Sequence, residues 1–327
     1  MTPSGGTHVS WVRGARRRFG GGLRLCTYSV ERGAPRLGAE CGGAVLDLAR
    51  YSHLHDGLRL PADMLGLIDA GPDAWRHATQ LCARFAAELS THDLAQDAEA
   101  GLAYPADRVQ RHAPIVRPRK DVIGLGQNYA AHAKELKNPV PPAPIYFTKP
   151  PTAVIGPGEP IPYPQGLTTR FDWEVELGVV VGLGGRNIEQ ARALDHVFGY
   201  TVFNDVSARD LQFRTSQWFK GKSLDGTCPM GPVIVTADEI GDPQALRLTL
   251  TVNGTRKQDG HTRDMIFSVA QIIADLSAGM TLEPGDAIST GTPEGVGDGR
   301  TPPEYLKPGD LVEAEVERIG VLRNPVR

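Results

Sequence analysis

The sequence predicts a β-rich α+β fold, a mixed sheet rolled into a barrel-like assembly, with a small α+β domain ahead of it. Three observations carry this. Roughly a dozen short runs have the β-branched, alternating character of strands, against three or four stretches with helical period. The 38 glycines and 26 prolines fall largely between those runs, as in GPGEPIPYP and TPPEYLKPGD, which reads as tight turns. The pattern Leu-x-Pro-Gly-Asp recurs at 282–286 and 306–310, each time launching a strand, AISTG and VEAEVE.

In chain order, residues 1–22 carry Arg13, Arg16, Arg17 and Arg18 with several glycines and no acid before Glu31. No apolar core of a secretory signal is present, and the glycines oppose an amphipathic transit helix, so a disordered extension is expected. Residues 23–113 read as short strands (LRLCTYSV, a turn at 33–35, a run ending in GGAVLDLA) and a helix over 74–90 with an apolar stripe of Leu81, Cys82, Phe85 and Leu89. This is the small domain, and His53 and His55 are expected on its surface. A proline-rich basic connector spans 112–120, and a second domain occupies 118–327. There VIGLG reads as a buried strand and NYAAHAKEL as a helix that NPVPPAP must end, a plausible lid. FDWEVELGVVV alternates as a strand, VFGYTVFND ends a strand at Asp205, and VSARDLQ is a helical turn. VNGT is a hairpin turn between two strands, and Ser268 with Gln271 forms a capping box for a helix ending before Gly279.

Composition narrows the function. Lys plus Arg number 35 and Asp plus Glu 38, a net charge of −3 that gives no reason to expect nucleic acid or a membrane surface as partner. No apolar run approaches the length of a membrane span. Cys26, Cys41, Cys82 and Cys228 are scattered without CxxC or Cys/His pairing, which opposes a zinc site or disulfide framework and makes the cytoplasm the natural setting. The glycines of VIGLG and GTPEGVG form neither a Walker motif nor a dinucleotide fingerprint.

Three constellations carry chemistry. In FDWEVELGVVV the carboxylates Asp172, Glu174 and Glu176 share one face of an extended chain, about 7 Å apart per step. Such a face is either half-solvated or, with Asp205 at the end of a later strand, an all-oxygen site for Mg²⁺, Mn²⁺ or Ca²⁺. His132 and Glu135 lie one helical turn apart, a carboxylate placed to orient an imidazole as general base. Arg209, Gln212 and Lys222, with Gly291 and Thr292 in STGTPEG, could stabilise an enolate or oxyanion or simply be surface polarity along the chain.

The ordered set GxNYxxHxxEL, FTKPP, FDWEVELGVVVG, NDVSARDLQ, GKSxDGTCPMGP, VNGTRKQ and STGTPEGVG resembles the fumarylacetoacetate hydrolase family, over about Asp121 to Val326. The resemblance implies a mixed β-roll or barrel-like catalytic fold, homodimeric, with a divalent metal at its mouth. It implies Glu174, Glu176 and Asp205 as metal ligands and His132 with Glu135 as a water-activating dyad on a lid helix. Lys222 would stabilise substrate charge, Arg209 and Gln212 would line the site, and Gly291 and Thr292 would hold a substrate carboxylate or carbonyl. Asp172 has no ligand role in that pattern and is expected to be supporting or solvated. The expected activity is metal-dependent hydrolysis of a C–C bond in a 2,4-diketo acid of acylpyruvate or fumarylacetoacetate type. The alternative is an isomerase, hydratase or decarboxylase of 2-oxo or 2-hydroxy-diene dicarboxylates such as oxaloacetate, and without the water step the same site could tautomerise an enol. A non-catalytic binding module is a third reading, opposed by the presence of a base such a module does not need.

Overall fold

The computed structural model describes residues 22–327; the extension expected over 1–22 lies, but for Gly22, outside the described residues. Among the described residues a twelve-stranded mixed sheet dominates. Its main path runs Ala103–Pro105, Ala44–Asp47, Arg36–Cys41, Arg24–Ser29, Cys228–Thr236, Val197–Asn204, Val175–Val181, Ala287–Ser289, Val122–Gly126, Ile145–Lys149. Neighbours on the path are antiparallel except Ala287–Ser289 with Val122–Gly126, which are parallel. The β-rich α+β class is as expected, and the sheet does not close into a barrel. A separate antiparallel sheet, in the order Thr255–His261, Arg247–Val252, Leu311–Val316, Gly320–Pro325, packs its apolar face on the large one.

The connector at 112–120 separates two stretches of chain, but the sheet and its packing run across it. Arg24–Ser29 pairs with Cys228–Thr236, and one apolar core holds Leu25, Leu37 and Trp75 from the N-terminal stretch together with Val180, Phe198 and Ile234 from the C-terminal one. Local chemistry explains the elements. At the hairpin between Arg247–Val252 and Thr255–His261, Asn253 (φ 51°) and Gly254 (φ 75°) both take the left-handed conformation, which Asn-Gly adopts at low cost. Helix Val269–Ser277 starts at Ser268, whose Oγ accepts the Gln271 N–H while Gln271 Oε1 accepts the Ser268 N–H at 2.9 Å. The helix expected over 74–90 is observed as Gly71–Glu88. The run ending in GGAVLDLA passes from strand to helix at Leu48, because Asp47 caps that helix by accepting the Arg50 N–H. His53 and His55 are exposed on it. No helix among the described residues is long and apolar enough to cross a membrane.

Helix Gly71–Glu88 is fixed to the sheet by Trp75. Its ring is fully buried, meets Phe198 edge-on at 5.1 Å, and its Nε1–H donates to the Leu67 carbonyl at 2.9 Å. Truncating it leaves a large cavity and an unpaired carbonyl, so Trp75→Ala is expected to lower unfolding stability by about 3–5 kcal/mol, read from urea denaturation of the whole chain.

Candidate active site

The stretch 171–181 is not one continuous strand. Phe171–Asp172 pairs with Ser207–Ala208, the chain jogs at Trp173 and Glu174, and Val175–Val181 then runs between Val197–Asn204 and Ala287–Ser289. Both faces are buried throughout. Val175, Leu177, Val179 and Val181 enter one core and Val180 the other, so the face that carries Glu176 is covered further along by the N-terminal packing. The half-solvated reading of the acidic face therefore falls: Glu174 is 3 % exposed, Glu176 1 % and Asp205 1 %. The backbone brings them together, since the Asp205 N–H donates to the Glu174 carbonyl at 2.9 Å and Asn204 Oδ1 accepts the Glu174 N–H at 3.0 Å.

One oxygen from each of Glu174, Glu176 and Asp205 lies within 4.8 Å of the others. Buried carboxylates need partners, and theirs are specific. Glu174 takes Arg209 Nη2 and Lys222 Nζ, each at 2.6 Å. Asp205 takes Lys222 Nζ on Oδ2 at 2.6 Å and Lys149 Nζ on Oδ1 at 2.7 Å. Glu176 Oε2 accepts the Ser289 hydroxyl at 2.6 Å and the Gly291 N–H at 2.7 Å, and among the described residues no cation pairs with Glu176. The electrostatics follow. Burial raises both glutamates, but at Glu174 the Arg209 and Lys222 charges outweigh it and hold the carboxyl well below its usual range. At Glu176 the charges of Asp205 and Glu174 add to burial and push it well above. An all-oxygen donor set in which one carboxylate lacks a cation fits a hard divalent ion such as Mg²⁺, Mn²⁺ or Ca²⁺.

The imidazole stands on the same pocket. Helix Ala130–Glu135 buries His132, whose Nδ1 is 2.8 Å from Glu135 Oε1, while Glu135 Oε2 accepts the Gly295 N–H at 2.9 Å. With Glu135 ionised, Nδ1 carries the proton and Nε2 is left as the basic nitrogen. The helix is anchored at its start. Asn128 donates through Nδ2 to the carbonyls of Phe267 (3.0 Å) and Thr290 (2.8 Å) and accepts the Phe267 N–H through Oδ1.

His132, Glu174, Glu176, Arg209, Gln212, Lys222 and Thr292 line one pocket. Its other wall is apolar, from Leu125, Leu136, Phe147, Phe213 and Trp218. The Trp218 and Phe147 rings pack at 6.0 Å, and Lys222 Nζ lies 4.8 Å from the Phe147 centroid. Of the expected substrate-holding residues, Arg209 and Gln212 meet each other, Nη1 to Oε1 at 3.1 Å. The other two brace the acidic strand, and Thr292 also lines the pocket. The Gly291 N–H is committed to Glu176, and Thr292 Oγ1 donates to the Val175 carbonyl at 2.9 Å and accepts Gln258 Nε2 at 2.8 Å. Both hold the acidic strand in place. Gly291 is required there, since φ is 95° and a Cβ would stand 2.6 Å from that of Asn128.

Residue-by-residue reading missed several participants. Lys149, inside the FTKPP motif, is fully buried against Asp205. Gln258, inside VNGTRKQ, joins Val175 to Thr292. Asp172 is neither ligand nor solvated: it accepts Arg209 Nε at 2.8 Å and the N–H groups of Gly297 (2.6 Å) and Asp298 (3.0 Å). Burial, which exceeds the pull of Arg209, raises its carboxyl above the usual range.

The family model described as fumarylacetoacetate hydrolase, C-terminal, matches residues 121–327. The oxaloacetate tautomerase of Bacillus subtilis is 44% identical over 269 residues, 82% of this chain and 87% of that protein. The mitochondrial oxaloacetate tautomerase of Xenopus laevis is 39% identical over 309 residues, 93% of this chain and 90% of that protein. Among solved structures, the fumarylacetoacetate hydrolase of Exiguobacterium antarcticum superposes with a TM-score of 0.76 at 37% identity, covering 93% of this chain and 99% of that one.

Removing Asp172 takes from the buried Arg209 guanidinium one of its two carboxylates and leaves two loop N–H groups without their acceptor. Asp172→Ala is expected to lower unfolding stability by about 3–5 kcal/mol, the cost of breaking a buried pair from one side. Asp172→Asn, which keeps an acceptor, is expected to lose less in the same denaturant titration.

Proposed function

The chain belongs to the fumarylacetoacetate hydrolase family, and on that premise we propose that it is a divalent-metal-dependent tautomerase of a short 2-oxo dicarboxylate, of which oxaloacetate is the type. The observation that carries the reading is the His132–Glu135 pair on a pocket lined also by Arg209, Lys222, Glu174 and Glu176, with an oxygen of Asp205 within 4.8 Å of an oxygen of each glutamate. A base, two cations and an oxygen-only metal set suit keto–enol exchange of a dianion. Two relatives named as oxaloacetate tautomerases, each matching more than four-fifths of this chain, support the same choice.

A cation held by Glu174, Glu176 and Asp205 would supply Lewis-acid charge beside the substrate's 2-oxygen. Lys222 and Arg209 neutralise the substrate's negative charge, Lys222 standing at the apolar wall where that charge is least screened. Gln212, whose Oε1 is held by Arg209, keeps its amide N–H groups as donors. His132 Nε2 moves the proton: one O–H bond of the enol breaks, one C–H bond forms at C3, and the C2=C3 double bond becomes C2=O. Glu135 keeps the ring oriented through the exchange and stabilises the imidazolium that forms. No water is consumed.

Hydrolytic cleavage of a 2,4-diketo acid, the activity the motifs first imply, is the second reading. It is favoured by the likeness to a fumarylacetoacetate hydrolase and by the same dyad, which can equally draw a proton from water. A panel of enol-oxaloacetate, acetylpyruvate and a 2-hydroxy-diene dicarboxylate, assayed with Mg²⁺ and Mn²⁺, separates the two. The enol of oxaloacetate is expected to give the highest kcat/KM; a higher value for acetylpyruvate cleavage would replace the first reading with the second.

His132→Ala is expected to slow tautomerisation by about 10²–10⁴-fold, the range for one general acid–base group, with the enol's ultraviolet absorbance as the readout. Glu174→Ala is expected to abolish the divalent-ion dependence of both rate and thermal stability, whichever reaction is assayed. If the variant keeps an ion-dependent rate, the metal assignment is wrong.

A further inference from the structure

We infer that Lys149 is the positioning residue that aims Asp205 at the metal site, an inference that rests on the metal-dependent reading above. Lys149 ends strand Ile145–Lys149 opposite Val122, at the margin of the large sheet, and its side chain is completely buried. Its ammonium donates to Asp205 Oδ1 at 2.7 Å and to the Val206 carbonyl at 3.2 Å. A completely buried lysine is rare without such partners, and here the two oxygens meet its Nζ where water cannot.

Asp205 follows directly on strand Val197–Asn204, and its backbone is pinned by the N–H bond to the Glu174 carbonyl. What remains free is the rotation of its carboxylate. Lys149 removes that freedom from one side, by occupying Oδ1. Oδ2 is left to Lys222, which also meets Glu174, and one oxygen of the carboxylate so held lies within 4.8 Å of an oxygen of each glutamate. The two lysines on one carboxylate thus differ in position. Lys222 lines the pocket, whereas Lys149 stands behind Asp205 and does not. Lys149 therefore acts through Asp205 rather than on the substrate.

Charge and geometry make opposite forecasts for Lys149→Met. Removing a positive charge next to the triad should, by Coulomb attraction alone, tighten binding of a divalent cation. Loss of the group that orients a ligand should weaken it, typically by about 10–100-fold. We expect the second outcome. The measurement is Mn²⁺ affinity of the full-length protein from the electron paramagnetic resonance signal of free Mn²⁺, with circular dichroism to establish that the variant is folded. Lys149→Gln, a donor without charge, gives the reading if the methionine variant does not fold, and is expected to weaken Mn²⁺ by about tenfold. A purely structural role would lower the melting temperature and leave Mn²⁺ affinity unchanged. Unchanged or tighter binding in the folded variant overturns the inference while the wild type still binds. Failure of the wild type to bind Mn²⁺ overturns the metal reading itself, and this inference with it.

Discussion

The structure depends on a cluster of buried charge that water does not reach. Asp172, Glu174, Glu176 and Asp205 are four carboxylates, and Lys149, Arg209 and Lys222 three cations, all between 0 % and 3 % exposed. Each such group removed from water is unfavourable by several kcal/mol unless opposite charge and hydrogen bonds replace its hydration. The cations therefore bridge rather than pair singly: Lys222 spans Glu174 and Asp205, and Arg209 spans Asp172 and Glu174. Among the described residues Glu176 is the carboxylate of the triad without a cation; its partners are a hydroxyl and an N–H, and burial with the neighbouring carboxylates disfavours its charged form. A hard divalent cation placed among these oxygens would supply the missing positive charge.

This demand explains why so much of the fold converges on one point. Glu176 comes from a central strand of the large sheet and Glu174 from the jog that leads into it, Asp205 from just past the end of the neighbouring strand, Lys149 from the sheet's margin, and Arg209 and Lys222 from two short helices, Arg209–Gln212 and Phe219–Lys222. The segment 295–298 ties helix Ala130–Glu135 to the cluster. The Gly295 N–H holds Glu135, and the Gly297 and Asp298 N–H groups hold Asp172, so the His132–Glu135 pair and the charge cluster are fixed by neighbouring peptide groups. Displacing that segment would disturb both at once.

The sequence made the short-range features legible and left the long-range ones dark. The Asn-Gly hairpin, the Ser268–Gln271 box and the His132–Glu135 spacing are set by residues within four positions of one another, and all appear in the structure as read. Alternation in FDWEVELGVVV correctly separates the two faces, but alternation reports only that the faces differ, not that one meets water. The acidic face is covered by elements from elsewhere in the chain. Lys149 and Asp205 are 56 positions apart, Gln258 and Val175 are 83, and no periodicity links such pairs. Asp172 illustrates the limit: its spacing equals that of the two glutamates, and only the jog at Trp173 and Glu174 turns it away from them to Arg209 and the loop at 297–298.

The same geometry explains why one site can serve tautomerases and C–C hydrolases. Both reactions place negative charge on the 2-oxygen of a 2-oxo acid, and both need a base whose protonated form is stabilised. The cations and the Glu135-oriented imidazole meet these needs without reference to which bond is made or broken. What separates the reactions is whether a water molecule reaches the far carbonyl alongside His132. That depends on the room left between the imidazole and the wall formed by Phe147, Trp218 and Leu136. The packed Trp218 and Phe147 rings make this wall apolar, and it offers a water few hydrogen bonds. On the proposed tautomerase reading, a dicarboxylate bound against this wall would leave the substrate's own carbon as the proton's acceptor.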